Sequence, residues 1–119
     1  MESPRTAQIE FCVKCPALNK DVILSKDTWY GHILHNKTGH PQLKYKQDLL
    51  KKIIENINTT RNFFKFTDDT GDSWFYDYVC PDFKPYHDCL RIAFHILNEQ
   101  VIIASAYPVK RGVVSYEPR

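Results

Sequence analysis

The chain has 119 residues, a mass of 14.0 kDa and a formal net charge of +2, which excludes a strongly basic nucleic-acid wrapper and an acidic solvating tail. With 43% hydrophobic and 13% aromatic residues it has a globular composition, and we assign residues 1–119 to a single domain with its core at about 9–110. No apolar run approaches the roughly 18 to 20 residues of a membrane span, and the first residues lack the apolar stretch of a signal peptide. We therefore expect a cytoplasmic protein without a membrane partner.

The first half of the sequence predicts a hairpin followed by two helices. Apolar and polar residues alternate around a turn in residues 8–25, as in a β-hairpin. Ser25 is a suitable N-cap for a first helix that ends within residues 36–39. Pro41 fits the first position of a second helix. The apolar stripe of that helix has the spacing i, i+3, i+4, i+7 and consists of Leu50, Ile53, Ile54 and Ile57.

The second half predicts four strands, because its apolar runs are aromatic or β-branched and are separated by short polar connections. These runs cover residues 61–67, 73–80, 89–97 and 101–107. Short connections favour an antiparallel meander. The predicted fold class is therefore α+β, with an N-terminal hairpin and two helices packed on one face of a four-stranded antiparallel sheet.

The third of these strands carries an arginine where the sheet has a free face. Because side chains alternate along a strand, Leu90, Ile92 and Phe94 are expected to face the helices. Arg91 and His95 then lie on the opposite side. An arginine on such a face is a candidate anion-binding residue, and the alternative is an ordinary solvated arginine.

The four cysteines allow three interpretations. Cys12 and Cys15 have the spacing of a zinc-ligand pair, which Cys80 with His87 or Cys89 would complete. An even number of cysteines also allows two disulfides, but that interpretation depends on a secretory context, which we do not expect here. Reduced structural cysteines are the third interpretation.

Three histidines, His32, His35 and His40, fall within nine residues. They are suited to metal binding or to proton transfer, since imidazole titrates near neutrality and serves as acid and base. The HExxH spacing of zinc metalloproteases is absent. The remaining alternative is that His32 packs beside Trp29 while His35 and His40 cap helices and contact solvent.

Several short segments together resemble one family. The chain has WYGHI at residues 29–33, HPQ at 40–42, LRIAF at 90–94 and ASAY at 104–107. Their order and spacing resemble the W-x-x-H-I … H-P-E … LRVVV … TAY pattern of small phage and bacterial nucleases of the barnase–EndoU–colicin–RelE-like (BECR) superfamily. The N-terminal hairpin also resembles that family's usual start.

The resemblance implies a metal-independent endoribonuclease that uses no cofactor, acts as a toxin or mobile-element effector and cleaves RNA, with tRNA as one candidate. In such enzymes a base takes the proton of a ribose 2′-hydroxyl, which attacks the phosphorus, while an acid protonates the leaving oxygen. Carried onto this sequence, the catalytic candidates are His32, His40, Arg91, Ser105 and Tyr107. The substrate-binding candidates are Tyr76, Tyr78 and His95. A cognate antitoxin or immunity protein is the expected protein partner.

One departure from the family motif defines the alternative functions. The family's acidic residue after His-Pro is Gln42 in this chain. If that carboxylate is the base, the chain is a non-catalytic RNA- or protein-binding module on the same scaffold. A small zinc-binding module built on the cysteines is a further alternative.

The last turn decides whether the candidate residues meet. A two-residue loop at 98–99 places Ser105 and Tyr107 on the face away from Arg91, whereas a three-residue loop at 98–100 brings all three together. Asn-Glu is a poor pair for a type I′ turn, so the sequence favours the three-residue loop.

Overall fold

The structure, a computed structural model, describes residues 8–35, 43–69, 71–80 and 88–110. Two strands, β1 (Ile9–Cys15) and β2 (Lys20–Ser25), form the N-terminal hairpin. A one-turn helix α1 (Lys26–Thr28), a π-helix (Trp29–Ile33) and the helix α2 (Gln47–Glu55) follow. The remaining strands are β3 (Phe63–Asp68), β4 (Gly71–Val79), β5 (Cys89–Ile96) and β6 (Gln100–Val109).

The sheet has six strands in the order β1-β2-β6-β5-β4-β3, so the predicted four-stranded antiparallel sheet is wrong. The hairpin joins the sheet because β2 pairs with β6 in parallel, with Val22 opposite Val101. This pairing covers the backbone edge that β6 would otherwise leave open. All other neighbouring strands are antiparallel.

The helices are shorter than the sequence predicts. Ser25 is the N-cap as expected, since its hydroxyl accepts a hydrogen bond of 3.1 Å from the Thr28 amide. The chain then widens into the π-helix, in which the Leu34 amide donates to the Trp29 carbonyl at 2.9 Å. Among the described residues the second helix begins at Gln47, six positions after the predicted start; Pro41 itself lies outside them.

The core lies between the helices and one face of the sheet. The helical part of the chain contributes Trp29 and Ile33 of the π-helix and the predicted apolar stripe, Leu50, Ile53, Ile54 and Ile57. The π-helix contacts β6, and α2 contacts β1. The sheet contributes, among others, Leu24, Leu90, Ile92, Phe94, Ile103 and Ala106. The four strands of the second half lie within two residues of their predicted ends. None of the helices in the described part of the chain is both long and apolar enough to cross a membrane.

Candidate functional site

A β-bulge decides which side chains share the free face of the sheet. The Leu97 amide donates to the Gln100 carbonyl at 2.8 Å, so the last turn has two residues rather than the predicted three. The register nevertheless pairs Arg91 with Tyr107, because it shifts between Ala93 and Phe94 and leaves Ala104 as an extra residue of β6. The bulge reverses the alternation along β6. Arg91 and Tyr107 therefore lie on one face because of the bulge, and not because of a three-residue loop at 98–100.

Three side chains form a row across the middle of this face. Asp77 of β4 is opposite Arg91 of β5, which is opposite Tyr107 of β6. The Arg91 Nε donates to Asp77 Oδ1 at 2.6 Å, and Nη2 donates to Oδ2 at 2.7 Å. This paired geometry is the strongest that arginine and a carboxylate form. We call Asp77, Arg91 and Tyr107 the cross-strand row.

Arg91 is buried although it lies on the face away from the helices. Its side chain is 2% exposed, whereas that of Asp77 is 24% exposed. The guanidinium carbon lies 5.0 Å from the centroid of the Phe64 ring and 5.5 Å from that of Phe75. Aromatic rings favour a nearby cation and exclude water from it. Arg91 therefore holds Asp77 in place, and two of its nitrogens are occupied by the carboxylate.

A cleft of about 510 Å³ lies beside the row, at the edge of β4. It opens just before β3 begins, since Phe63 opposite Tyr76 is the first pair between these strands and β4 continues beyond it. The cleft is lined by Asn62, Tyr76, Asp77, Tyr78, Val79 and Cys89. Burial raises the pKa of the Tyr76 phenol, and the neighbouring Tyr78 and Cys15 add to the shift. We call this the β4 cleft.

The structure brings together only part of the predicted site. Arg91, Ser105, Tyr107 and His95 share the free face of the sheet. Tyr76 and Tyr78 point to the opposite face, but both line the β4 cleft next to Asp77.

Of the two histidines predicted to be catalytic, His32 is not part of this arrangement. His32 is exposed on the π-helix, whose Trp29 and Ile33 pack into the core on the other side of the sheet from Arg91. His40 and the neighbouring Gln42 lie outside the described residues. The sheet thus separates His32 from the cross-strand row.

The cysteines are free thiols in the structure. Cys12 is exposed and Cys15 is buried, on opposite faces of β1, so this pair does not converge on one ion. Burial, with a smaller contribution from Asp21, raises the pKa of Cys12 and disfavours its thiolate. Within the described ranges no three His, Cys, Asp or Glu side chains could hold a metal ion; His87 lies outside them.

Sequence reasoning missed Asp77, which is the partner of Arg91. The sequence does contain a signal, because Asp77 is the acidic residue inside the aromatic run SWFYDYV. A carboxylate that a strand places among aromatic side chains needs a partner of opposite charge. Asn62 was missed as well, because its place at the cleft depends on where β3 begins.

The row and the cleft are the features of the described residues from which a function can be inferred. No family model, no curated protein and no solved structure matches this chain.

Proposed function

We propose that this chain is a metal-independent endoribonuclease of the BECR type, which cleaves RNA through its 2′-hydroxyl groups and acts as a toxin or mobile-element effector in the cytoplasm. The observation that carries the proposal is the cross-strand row beside the β4 cleft. It joins a carboxylate, a buried cation and a phenol on one rigid sheet, and RNA cleavage of this kind requires a base, charge stabilisation and an acid. The sequence motifs of the BECR family support the same reaction.

Asp77 is the proposed base. Asp77 lines the β4 cleft, so its carboxylate would contact an RNA segment bound there. The two hydrogen bonds from Arg91 fix its orientation before substrate binds. Each Asp77 oxygen still has a lone pair that Arg91 does not use. A ribose 2′-hydroxyl hydrogen-bonded to one of these lone pairs would lose its proton to Asp77 as it attacks the phosphorus.

Tyr107 is the proposed acid. It lies on the other side of Arg91 in the row, two strand spacings or about 10 Å from Asp77 between Cα atoms. Ser105 lies two residues before Tyr107 on the same strand and the same face. Its hydroxyl can donate a hydrogen bond to a phosphate oxygen. In this proposal Arg91 positions Asp77 and contributes its charge, rather than gripping the phosphate with both nitrogens.

The substrate is held by residues at the rim. Tyr78 is 38% exposed and offers a ring on which an unpaired base can stack. Asn62 offers an amide to a base edge, and Arg61, exposed and next to it in the chain, offers a cation to the phosphate. An enzyme that cuts its host's RNA needs an inhibitor, and we propose a cognate antitoxin or immunity protein as its partner.

The test is cleavage of total RNA and of tRNA by purified protein with a chelator present. Asp77→Asn should lose roughly 100-fold or more of the rate, since a proton-transfer group contributes at least that much. The matched control is Asp48→Asn, which removes an exposed carboxylate from α2 and should leave cleavage unchanged. Asp77→Glu keeps the charge and should retain part of the activity. A folded Asp77→Asn variant that cleaves like the wild type would overturn the proposal.

One observation favours a second candidate, a non-catalytic RNA- or protein-binding module. Arg91 is 2% exposed and its pairing with Asp77 has the geometry of a structural ion pair. If folded wild type binds RNA in a gel-shift assay but does not cleave it, this candidate replaces the first.

A further inference from the structure

A second cleft, of about 630 Å³, lies on the free face of the sheet at the other end of β6. Its lining comes from the starts of β1 and β6, from β2 and from α1. Ile102 lines it, five residues before Tyr107, so roughly 15 Å of strand separates this cleft from the cross-strand row. Its volume is in the range of small-molecule sites. We call it the hairpin cleft.

The floor of the hairpin cleft is apolar. Ile23 and Ile102 are opposite each other on β2 and β6, and Ile9 adds a third branched side chain. All three are half-buried, so their remaining surface faces the cleft or solvent. Covering that surface with an apolar group is favourable by the hydrophobic effect.

The polar groups at the rim carry one charge, and it is negative. Among the described residues of the lining, Asp27 is the only one with a charged side chain, and the other polar members are Gln8, Ser25 and Gln100. The Ser25 hydroxyl is already bonded to Thr28, as the cap of α1.

No cation in the described part of the chain neutralises Asp27. The adjacent Lys26 ammonium lies 3.7 Å from the Glu10 carboxylate and is therefore directed elsewhere. The Asp27 carboxylate makes no hydrogen bond or ion pair with any described residue. It is therefore available to a ligand at the mouth of an apolar cleft.

We infer that the hairpin cleft binds a small organic cation, in which an ammonium or guanidinium group carries an apolar body. The body would cover the three isoleucines, and the cationic head would pair with Asp27 while the amide oxygens of Gln8 and Gln100 accept further hydrogen bonds. The same rim repels phosphate, so this site is distinct from the proposed RNA site. The inference does not depend on whether the chain cleaves RNA.

The experiment is an NMR titration of the ¹⁵N-labelled protein with three probes that share one body. 2-Phenylethylamine is cationic, 2-phenylethanol is neutral and 3-phenylpropionate is anionic. We expect the amine to shift the amides of Ile23, Asp27 and Ile102 and to bind about tenfold more tightly than the alcohol, which in turn binds more tightly than the carboxylate.

Asp27→Asn should lower the affinity for the amine to that for the alcohol and leave the alcohol unaffected. Asp48→Asn, which removes an exposed carboxylate that does not line the cleft, should change neither. The inference is overturned if none of the probes binds, if the carboxylate binds as tightly as the amine, or if Asp27→Asn retains the preference for the amine. RNA cleavage by Asp27→Asn should equal that of the wild type, so the two proposals fail independently.

Discussion

Both faces of β5 are buried from Cys89 to Phe94, but different forces bury them. On one face Leu90, Ile92 and Phe94 pack into the apolar core beneath the helices. On the other face Arg91 is as buried as its apolar neighbours, although none of the described helices covers it, and Asp77 and two phenylalanine rings lie against its charge. The apolar face gains stability from every carbon it buries, whereas the charged face is stable only while its partners are present. A buried pair that depends on its partners is a suitable support for a reacting carboxylate.

Breaking the apolar face should have the largest effect. Phe94→Ala removes a fully buried ring that stacks against Phe63 at a centroid distance of 5.7 Å. We expect the free energy of unfolding to fall by about 3–5 kcal/mol, since the variant loses buried area and leaves a cavity. Urea unfolding followed by circular dichroism measures this, and a loss below about 1 kcal/mol would mean that the core lies elsewhere.

Breaking the charged face comes next. Asp77→Asn removes the carboxylate charge that pairs with the buried Arg91 guanidinium, and we expect a loss of about 2–3 kcal/mol, less than for a fully buried pair because Asp77 is partly exposed. Replacing both partners, as Asp77→Leu with Arg91→Met, should restore unfolding to within about 1 kcal/mol of the wild type. If Asp77→Asn lowers the free energy of unfolding by less than about 0.5 kcal/mol, the pair behaves as a surface salt bridge and the two faces of β5 do not differ as described.

A smaller effect should come from the rings beside Arg91. Phe64→Leu keeps an apolar side chain but removes the aromatic face 5.0 Å from the guanidinium carbon. We expect a loss of about 1 kcal/mol in the free energy of unfolding. The same change in the Arg91→Met, Asp77→Leu background should cost less, because the cation is gone. Equal losses in both backgrounds would assign the effect to packing alone.

The smallest effect is a pH dependence on the apolar face. Burial raises the pKa of Tyr76 above the value of about 10 that is usual for a phenol, so above that pH the unfolded chain releases the phenolic proton more readily than the folded chain. Stability from this group is complete below that pH and falls as the pH rises through the folded-state pKa. Tyr76→Phe should flatten the decline in melting temperature between about pH 9.5 and 11, on either side of the usual phenol pKa. An unchanged slope would show that Tyr76 is not the cause.

The fold could be predicted from the sequence where local pattern decides structure. The aromatic and β-branched runs gave four strands nearly in place, and the stripe Leu50, Ile53 and Ile54 is buried as expected. The parallel pairing of β2 with β6 could not be predicted in this way, since it joins residues some 80 positions apart in sequence, such as Val22 and Val101. Nothing local in either strand specifies that contact.

The candidate site could be predicted only in part for the same reason. Strand alternation predicts that Arg91 lies on the face away from the helices. That Tyr107 shares this face depends on the bulge at Ala104, and no residue in the turn indicates that bulge. Asp77 becomes a partner of Arg91 only through the register of β4 against β5. His32 was predicted to be catalytic from its place in the W-x-x-H-I motif of the BECR resemblance, yet the sheet lies between it and Arg91.

The most direct measurement compares RNA cleavage by Asp77→Asn and His32→Ala with that of the wild type, side by side and with a chelator present. The cross-strand row predicts that Asp77→Asn loses roughly 100-fold or more of the rate while His32→Ala stays within about threefold of the wild type. Loss of cleavage in His32→Ala with full cleavage by a folded Asp77→Asn variant would contradict it and move the active site to the helical side of the sheet.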